Sequence, residues 1–317
     1  MNQPQINIVA PLHNEEQVFD KLISRLQQLI DSSPLSIEVI LVDDGSSDNT
    51  SSKMRELSFN NKKFHSIFLS RNFGHQVAIS AGLKYANCSE GVMIIDGDLQ
   101  DPPELLDEFY TYLKKGYDVI YAVRKQRKET YLRKLSYKLF YSLLKKISYI
   151  EIPLDSGDFS LVSTRVVKHL NAMPEESRYL RGMRSWVGFS QVGVDYERDR
   201  RELGESKYTF FKLVKLAYNG IFNFSEFPIK FITNLGLLTI ITSVIYFIYV
   251  LINKIFYGGV PQGFTALLFI IILFGGIQLM AIGLIGEYVL RIFFQVKQRP
   301  LFVIKERIIN GTSFNND

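Results

Sequence analysis

A single cysteine, Cys88, stands in a chain of 317 residues, which excludes an internal disulfide and suits a reducing compartment. The four histidines, His13, His65, His75 and His169, are scattered without the HExxH spacing of a zinc site, so none is assigned a ligand role. No GxGxxG follows the first apolar run and no GKS or GKT occurs anywhere, which argues against a dinucleotide fingerprint and a P-loop. Internal repeats and low-complexity linkers are missing too. The opening MNQPQINIVAPLHNEE lacks the basic start and apolar core of a signal peptide, so the N-terminal part is expected to stay on the side where it is made. On that expectation the acceptor patterns at Asn49 and Asn310 carry no glycosylation. The net charge of +5 is mild; with its basic residues near apolar runs it suits anionic lipid and not nucleic acid.

What is present is unevenly placed. The hydrophobic share of 47% is ordinary, but Phe231 to Leu251 and Phe264 to Gly286 contain no charged residue. Each run can cross a hydrocarbon core of roughly 30 Å, which takes about 20 helical residues. Lys207, Lys212, Lys215 and Lys230 precede the first run, and Arg291, Lys297, Arg299, Lys305 and Arg307 follow the second. The connection Ile252 to Gly263 holds only Lys254. By the positive-inside rule both long flanks are expected to be cytoplasmic, joined through a short external loop.

The first 125 residues alternate short apolar runs (INIVA, EVILVD, HSIFL, VMIID, DVIYAV) with helical stretches beginning near Glu15, Asp48, His75 and Pro102. That alternation predicts an α/β fold with a mainly parallel sheet. Ligands of such sheets sit at the carboxyl ends of the strands. The segments there, PLHNEE, DDGSSDNT, SRNFGH and DGDLQD, are all polar and would converge on one crevice. Two segments, 131–150 and 208–224, mix Leu, Tyr and Phe with Arg and Lys at helical spacing. Each is read as a helix at a membrane interface, with packing on the sheet as the alternative for the first.

The stretch DGDLQDPPE at 96–104 is the most pointed. On a strand, residues two apart share a side, so Asp96 and Asp98 would aim two carboxylates into one volume. A hard divalent cation would offset their repulsion; an acidic turn with DG and DPP chemistry is an equally good account.

APLHNEE, VDDGSSDNT, RNFG, DGDLQDPPE, DSGDF and GESKY, in this order, resemble the inverting A-type glycosyltransferases. They are most similar to the polyprenyl-phosphate glycosyltransferases, such as dolichol-phosphate mannose synthase and bactoprenol glucosyltransferases of the GtrB type. The resemblance covers the whole chain. It implies a Rossmann-like A-type domain followed by two transmembrane helices: a cytoplasmic catalytic domain over 1–207, an interfacial segment over 208–228, a transmembrane hairpin over 229–290 and a cytoplasmic tail over 291–317. The implied activity is transfer of one sugar from a nucleotide sugar to a polyprenyl phosphate at the inner (plasma) membrane. UDP-glucose is the first choice of donor, with GDP-mannose and UDP-4-amino-arabinose behind it. The resemblance places Pro11 and Glu15 at the nucleotide, Asp43 or Asp44 on the base, and Asp96, Asp98 and Gln100 around Mg²⁺ or Mn²⁺. It leaves room for a homo-oligomer and for a flippase and a downstream glycosyltransferase as pathway partners.

A phosphate acceptor carries about −1.5 to −2 charges near neutral pH, so it needs a cationic clamp more than a base. Arg124 and Arg127 in VRKQRKE, and Arg198, Arg200, Arg201 and Lys207 in ERDRRELGESKY, are the candidates, because a guanidinium forks onto phosphate oxygens. Arg124, Arg201 and Lys207 are singled out, although a solvated surface charge is the default for any one of them. Asp158 of DSGDF is expected to position acceptor or donor sugar; in relatives that glycosylate hydroxyls a carboxylate here is the base. RGMRSWVGF looks like an acceptor-side loop, with Trp186 either stacking on the sugar or, by default, in the core. A processive synthase would need QxxRW and more spans, where this chain has MRSW and two. A non-catalytic nucleotide-sugar-binding partner would have lost acidic residues that are all here.

Overall fold

In a computed structural model of the chain, residues 3–124, 156–176, 178–196, 227–257 and 263–315 are described. They fall into two compact units. One holds the described residues up to Tyr196 together with 299–315, and the other holds two long helices up to Gln298.

The first unit is built around a nine-stranded sheet of order β7-β5-β6-β4-β1-β2-β3-β8-β9. Its centre consists of β1 (Ile6–Leu12), β2 (Ile37–Asp43), β3 (Phe64–Leu69) and β4 (Gly91–Ile94), all mutually parallel. These are the continuous apolar runs of the sequence, buried on both faces as helix-covered parallel strands must be. The helices α1 (Glu16–Ser32), α2 (Thr50–Asn60) and α3 (His75–Tyr85) connect them. In α1 the buried positions Val18, Phe19, Leu22, Leu26 and Leu29 follow helical spacing and form one stripe against the core. After β4 a short 3₁₀ turn (Pro103–Leu105) leads into α4 (Leu106–Lys114) and β5 (Val119–Arg124). Then follow β6 (Ser156–Ser163), α5 (Thr164–Ala172), α6 (Leu180–Val187) and β7 (Gln191–Tyr196). The strand β6 runs antiparallel to both β4 and β5.

The α/β class and the parallel centre are as the sequence predicts. Two details differ. First, β4 stops at Ile94, so Asp96 and Asp98 stand in a turn and strand parity does not set their directions. Second, residues expected as a tail form a hairpin, β8 (Ile304–Ile309) and β9 (Thr312–Asn315), which caps the β3 edge antiparallel. Ile304 and Ile308 are buried there, and the hairpin supplies the outer hydrogen-bonding partner that an exposed edge strand lacks. The segment is short and charged, so only its partner strand reveals it as sheet.

The second unit contains α7 (Phe227–Tyr257) and α8 (Phe264–Val296). Pro228–Tyr246 and Leu273–Val296 are long and apolar enough to cross a membrane. Large apolar side chains along them are open, Leu279 at 72% and Ile245 at 61%, which a surrounding lipid phase would accommodate. The expected interfacial segments at 131–150 and 208–224 lie outside the described residues.

Candidate active site

The strand order reverses at β1, with β2 on one side and β4 on the other, and this is where an open α/β sheet forms its crevice. The pairing of β1 with β4 runs from Ile6 to Val9, and the strands part beyond it. Pro11 falls in the gap. The Leu12 carbonyl accepts from the Asp44 amide on the β2 side, so Pro11 turns its backbone toward β4, where its missing N–H costs no ladder bond. The turn after β4 presses into the same place. A Cβ on Gly97 would stand 2.4 Å from Leu12 Cδ2 and 3.0 Å from the Pro11 carbonyl oxygen, so only glycine lets DGD reach the end of β1.

Asp96 and Asp98 are half-buried on either side of Gly97. The Asp98 carboxylate accepts from the Gln100 amide at 3.2 Å, and Leu99 between them takes a left-handed φ of 61°. On β6, the neighbour of β4 on the side away from β1, lies Asp158. The antiparallel pairing ends at Ile94↔Ser160, so Asp96, two residues beyond Ile94, and Asp158, two residues before Ser160, come out at the same end of the sheet. Two acids from distant motifs thus meet, and their repulsion has to be met by cations.

His75 meets it. Its Nε2 lies 3.3 Å from Asp96 Oδ1 and 3.6 Å from Asp158 Oδ2. Arg181, on the first turn of α6, donates to both Asp158 oxygens at 2.9 and 3.2 Å, and Gln76 adds a bond at 2.9 Å. Arg184, one turn on and buried, holds the backbone carbonyls of Gly157 and Asp158 and the Ser160 hydroxyl. Burial alone would raise the Asp158 carboxyl, but Arg181 and His75 outweigh it and hold the group well below the ordinary value of 3.8. Burial likewise opposes the His75 charge, and the two carboxylates reverse the sign, so the imidazole is raised well above its ordinary value of 6.5. Burial lowers Arg184 to about 10, which leaves it charged at neutral pH.

The residues after β2 serve the loops around the crevice. Asp43 accepts from the Ser46 amide at 3.0 Å and the Ser51 hydroxyl at 2.6 Å. Asp44 accepts from the amides of Phe73 and Gly74 at 2.7 and 3.0 Å, directly before α3, where a carboxylate complements the helix dipole. Burial raises the Asp44 carboxyl despite those two bonds. The Asp44 bonds set the first turn of α3, and with it His75 and Gln76. The Glu15 amide donates to Thr50 Oγ1 at 3.0 Å, joining the β1 and β2 loops. Pro11, Glu15, Asp43, Asp44, Asp96, Asp98, Gln100 and Asp158 therefore share one edge of the sheet. Arg124 ends β5 on that edge, paired with Tyr196; Arg127, Arg198, Arg200, Arg201 and Lys207 lie outside the described residues.

Among the described residues no three acidic, histidine or cysteine side chains form a metal cage. Two carboxylates flanking a pinned turn nevertheless fit Mg²⁺ or Mn²⁺, since a hard octahedral ion keeps waters and takes one or two carboxylates plus substrate phosphates. The sequence reading missed His75, Gln76 and Arg181. His75 and Gln76 directly follow RNFG at the end of β3, a position that already marked them, and Arg181 opens the RGMRSW segment. Trp186, whose default place was the core, is 57% exposed.

The model of the family described as "Glycosyl transferase family 2" matches residues 7–170. An uncharacterized glycosyltransferase, YkcC of Bacillus subtilis, is 41% identical over 95% of this chain and 94% of its own. The SfII prophage-derived bactoprenol glucosyl transferase of Shigella flexneri is 36% identical over 95% of this chain and 98% of its own. Among solved structures, TarS 1-349 of S. aureus is 19% identical, with a TM-score of 0.44 over 61% of this chain and 59% of that one. With the family model on the crevice-bearing half and relatives matching nearly the full length, the chain belongs to glycosyl transferase family 2 and is a glycosyltransferase of A-type fold.

Proposed function

We propose that the enzyme transfers a single sugar, glucose from UDP-glucose, to a polyprenyl phosphate at the cytoplasmic face of the membrane. The observation that carries this reading is the engagement of Asp158. Both its oxygens are bonded, and it is held ionised well below the ordinary carboxylate range. Such a group is a poor proton acceptor, because its conjugate acid is strong. A lipid phosphate arrives already ionised. Likeness to bactoprenol glucosyl transferases over 95% of the chain supports the same acceptor and the same sugar.

In this reading Asp96, Asp98 and Gln100 would hold Mg²⁺ or Mn²⁺, which supplies charge neutralisation at the donor diphosphate as the nucleoside diphosphate leaves. Pro11, Glu15, Asp43 and Asp44 line the nucleoside side, and Arg124, Arg127, Arg201 and Lys207 receive the acceptor phosphate. Asp158, oriented by Arg181 and Gln76, positions the sugar between them. The decisive assay offers undecaprenyl phosphate and undecaprenol in vesicles with a panel of nucleotide sugars, followed by mass spectrometry of the lipid. One added hexose on the phosphate from UDP-glucose, and none on the alcohol, is expected. Comparable transfer to the alcohol would restore Asp158 as a base, and no product from any donor would end the reading.

That both flanks lie on one side of the membrane has support besides the basic residues. The strands β1 to β7 and β8 to β9 belong to one sheet, yet α7 and α8 lie between them in the chain. A chain that leaves a folded unit and returns to it crosses a membrane an even number of times. With the basic flanks inside, a membrane-impermeant thiol reagent on intact cells should label a Gly259→Cys variant and leave cysteines placed before Lys230 untouched. Labelling of the sheet-bearing unit from outside would reverse the assignment.

A further inference from the structure

The pairing that brings the chain back to the sheet carries an irregularity. Ser66, Ile67 and Phe68 of β3 face Ile308, Arg307 and Glu306 of β8, but Leu69 faces Ile304. One step on β3 is matched by two on β8, so Lys305 is an extra residue without a partner in the register, a β-bulge. Bulges interrupt the alternation of a strand and re-aim a side chain, and they gather beside active sites. Glu306 next to it is committed to α2: it pairs with Arg55 Nε at 2.8 Å, while the guanidinium lies 4.3 Å from the Phe68 ring centroid. Lys305 lines a cavity of ≈ 190 Å³ at the carboxyl ends of β2 and β3, together with Asp43, Ser46, Ser51, Arg71 and the Glu306-paired Arg55.

Asp43 is the acidic wall of that cavity. Ser46 and Ser51 each take one position on its carboxylate, out of about four lone-pair sites, so it can still accept from a ligand. We propose that Lys305 is a specificity-determining residue of the donor site, donating to a carbonyl oxygen of the base while Asp43 accepts from the adjacent ring N–H. The inference rests on the reading of the enzyme as a nucleotide-sugar transferase, and it names the donor class. A cation beside a carboxylate matches the N–H/C=O edge that uracil and guanine present. Cytosine and adenine carry a bare ring nitrogen next to an amino group, so the ammonium would meet donors and the carboxylate a lone pair. Mismatched polar groups are what make hydrogen-bonding sites selective. It follows that a segment beyond the second apolar helix, outside the residues matched by the family model, completes the donor site.

The test is calorimetric binding of UDP, GDP and CDP to the full chain in detergent, with Mg²⁺ present. Lys305 is exposed, so Lys305→Met and Lys305→Gln are expected to melt with wild type. Wild type should prefer UDP or GDP to CDP, and both variants should narrow that preference by about tenfold or more, the scale of one hydrogen bond to a charged group. Lys305→Arg should keep part of it. The ratio is read because the diphosphate is common to all three ligands. Equal losses for UDP and CDP would assign Lys305 to the phosphates and overturn the proposal, as would an unchanged ratio. Failure of wild type to bind any of the three would instead sink the nucleotide-sugar reading itself.

Discussion

Asp98→Asn is expected to lower sugar transfer by at least about 10²–10³-fold, the scale seen when a group stabilising transition-state charge is removed, while leaving the fold intact. An asparagine oxygen can keep the hydrogen bond that Asp98 accepts from the Gln100 amide, while the negative charge is removed. Asp96→Asn should be as inactive, and it also alters the contact with His75 at 3.3 Å. Wild type with excess chelator should behave like Asp98→Asn, and donor binding by the two variants should lose its dependence on Mg²⁺ or Mn²⁺. Wild-type turnover in either would remove the metal from the site, and the acidic turn would then be a turn and nothing more.

The second large effect is expected on stability. Asp158→Asn leaves Arg181, His75 and Gln76 aimed at a group that has lost its charge and gained two donors. Breaking a buried ion pair by removing one partner costs about 3–5 kcal/mol, and Asp158 is 5% and Arg181 23% exposed at the side chain. A lowered thermal midpoint in detergent should therefore accompany the loss of activity, and pairing the change with Arg181→Gln should recover part of the midpoint. The folded-state value of Asp158 is depressed, so its contribution is complete above the ordinary 3.8 and fades as the pH falls through the lower native value. The Asp158 charge itself should contribute evenly from pH 5 to 8, while the raised His75 adds stability that is complete below its ordinary 6.5 and is lost as the pH rises through its higher native value. An Asp158→Asn protein as stable as wild type, whose activity alone falls and loses its acid limb, would point to a titrating base.

Which of these features the amino-acid sequence could show depends on how local their physics is. The buried strands, the helices between them and the polar strand ends follow from residue periodicity, and the two apolar helices follow from runs without charge, because burial selects residue type position by position. The spacing of Asp96 and Asp98 singles them out in the sequence, but a shared strand face does not direct them: β4 ends at Ile94, and Gly97 pressed on Pro11 and Leu12 places the turn. The meeting of Asp96 with Asp158 depends on an antiparallel register between strands some sixty residues apart in the chain. His75 and Arg181 acquire their purpose only from the repulsion that register creates. Likewise Ile304–Asn315 reads as a charged tail until the β3 edge offers it a partner, and Lys305 becomes part of a site only through one extra residue in that pairing. Periodicity is a property of neighbours and is written in the sequence. Register is a property of two segments at once, decided by the free energy of bringing them together, and only the tertiary structure displays it.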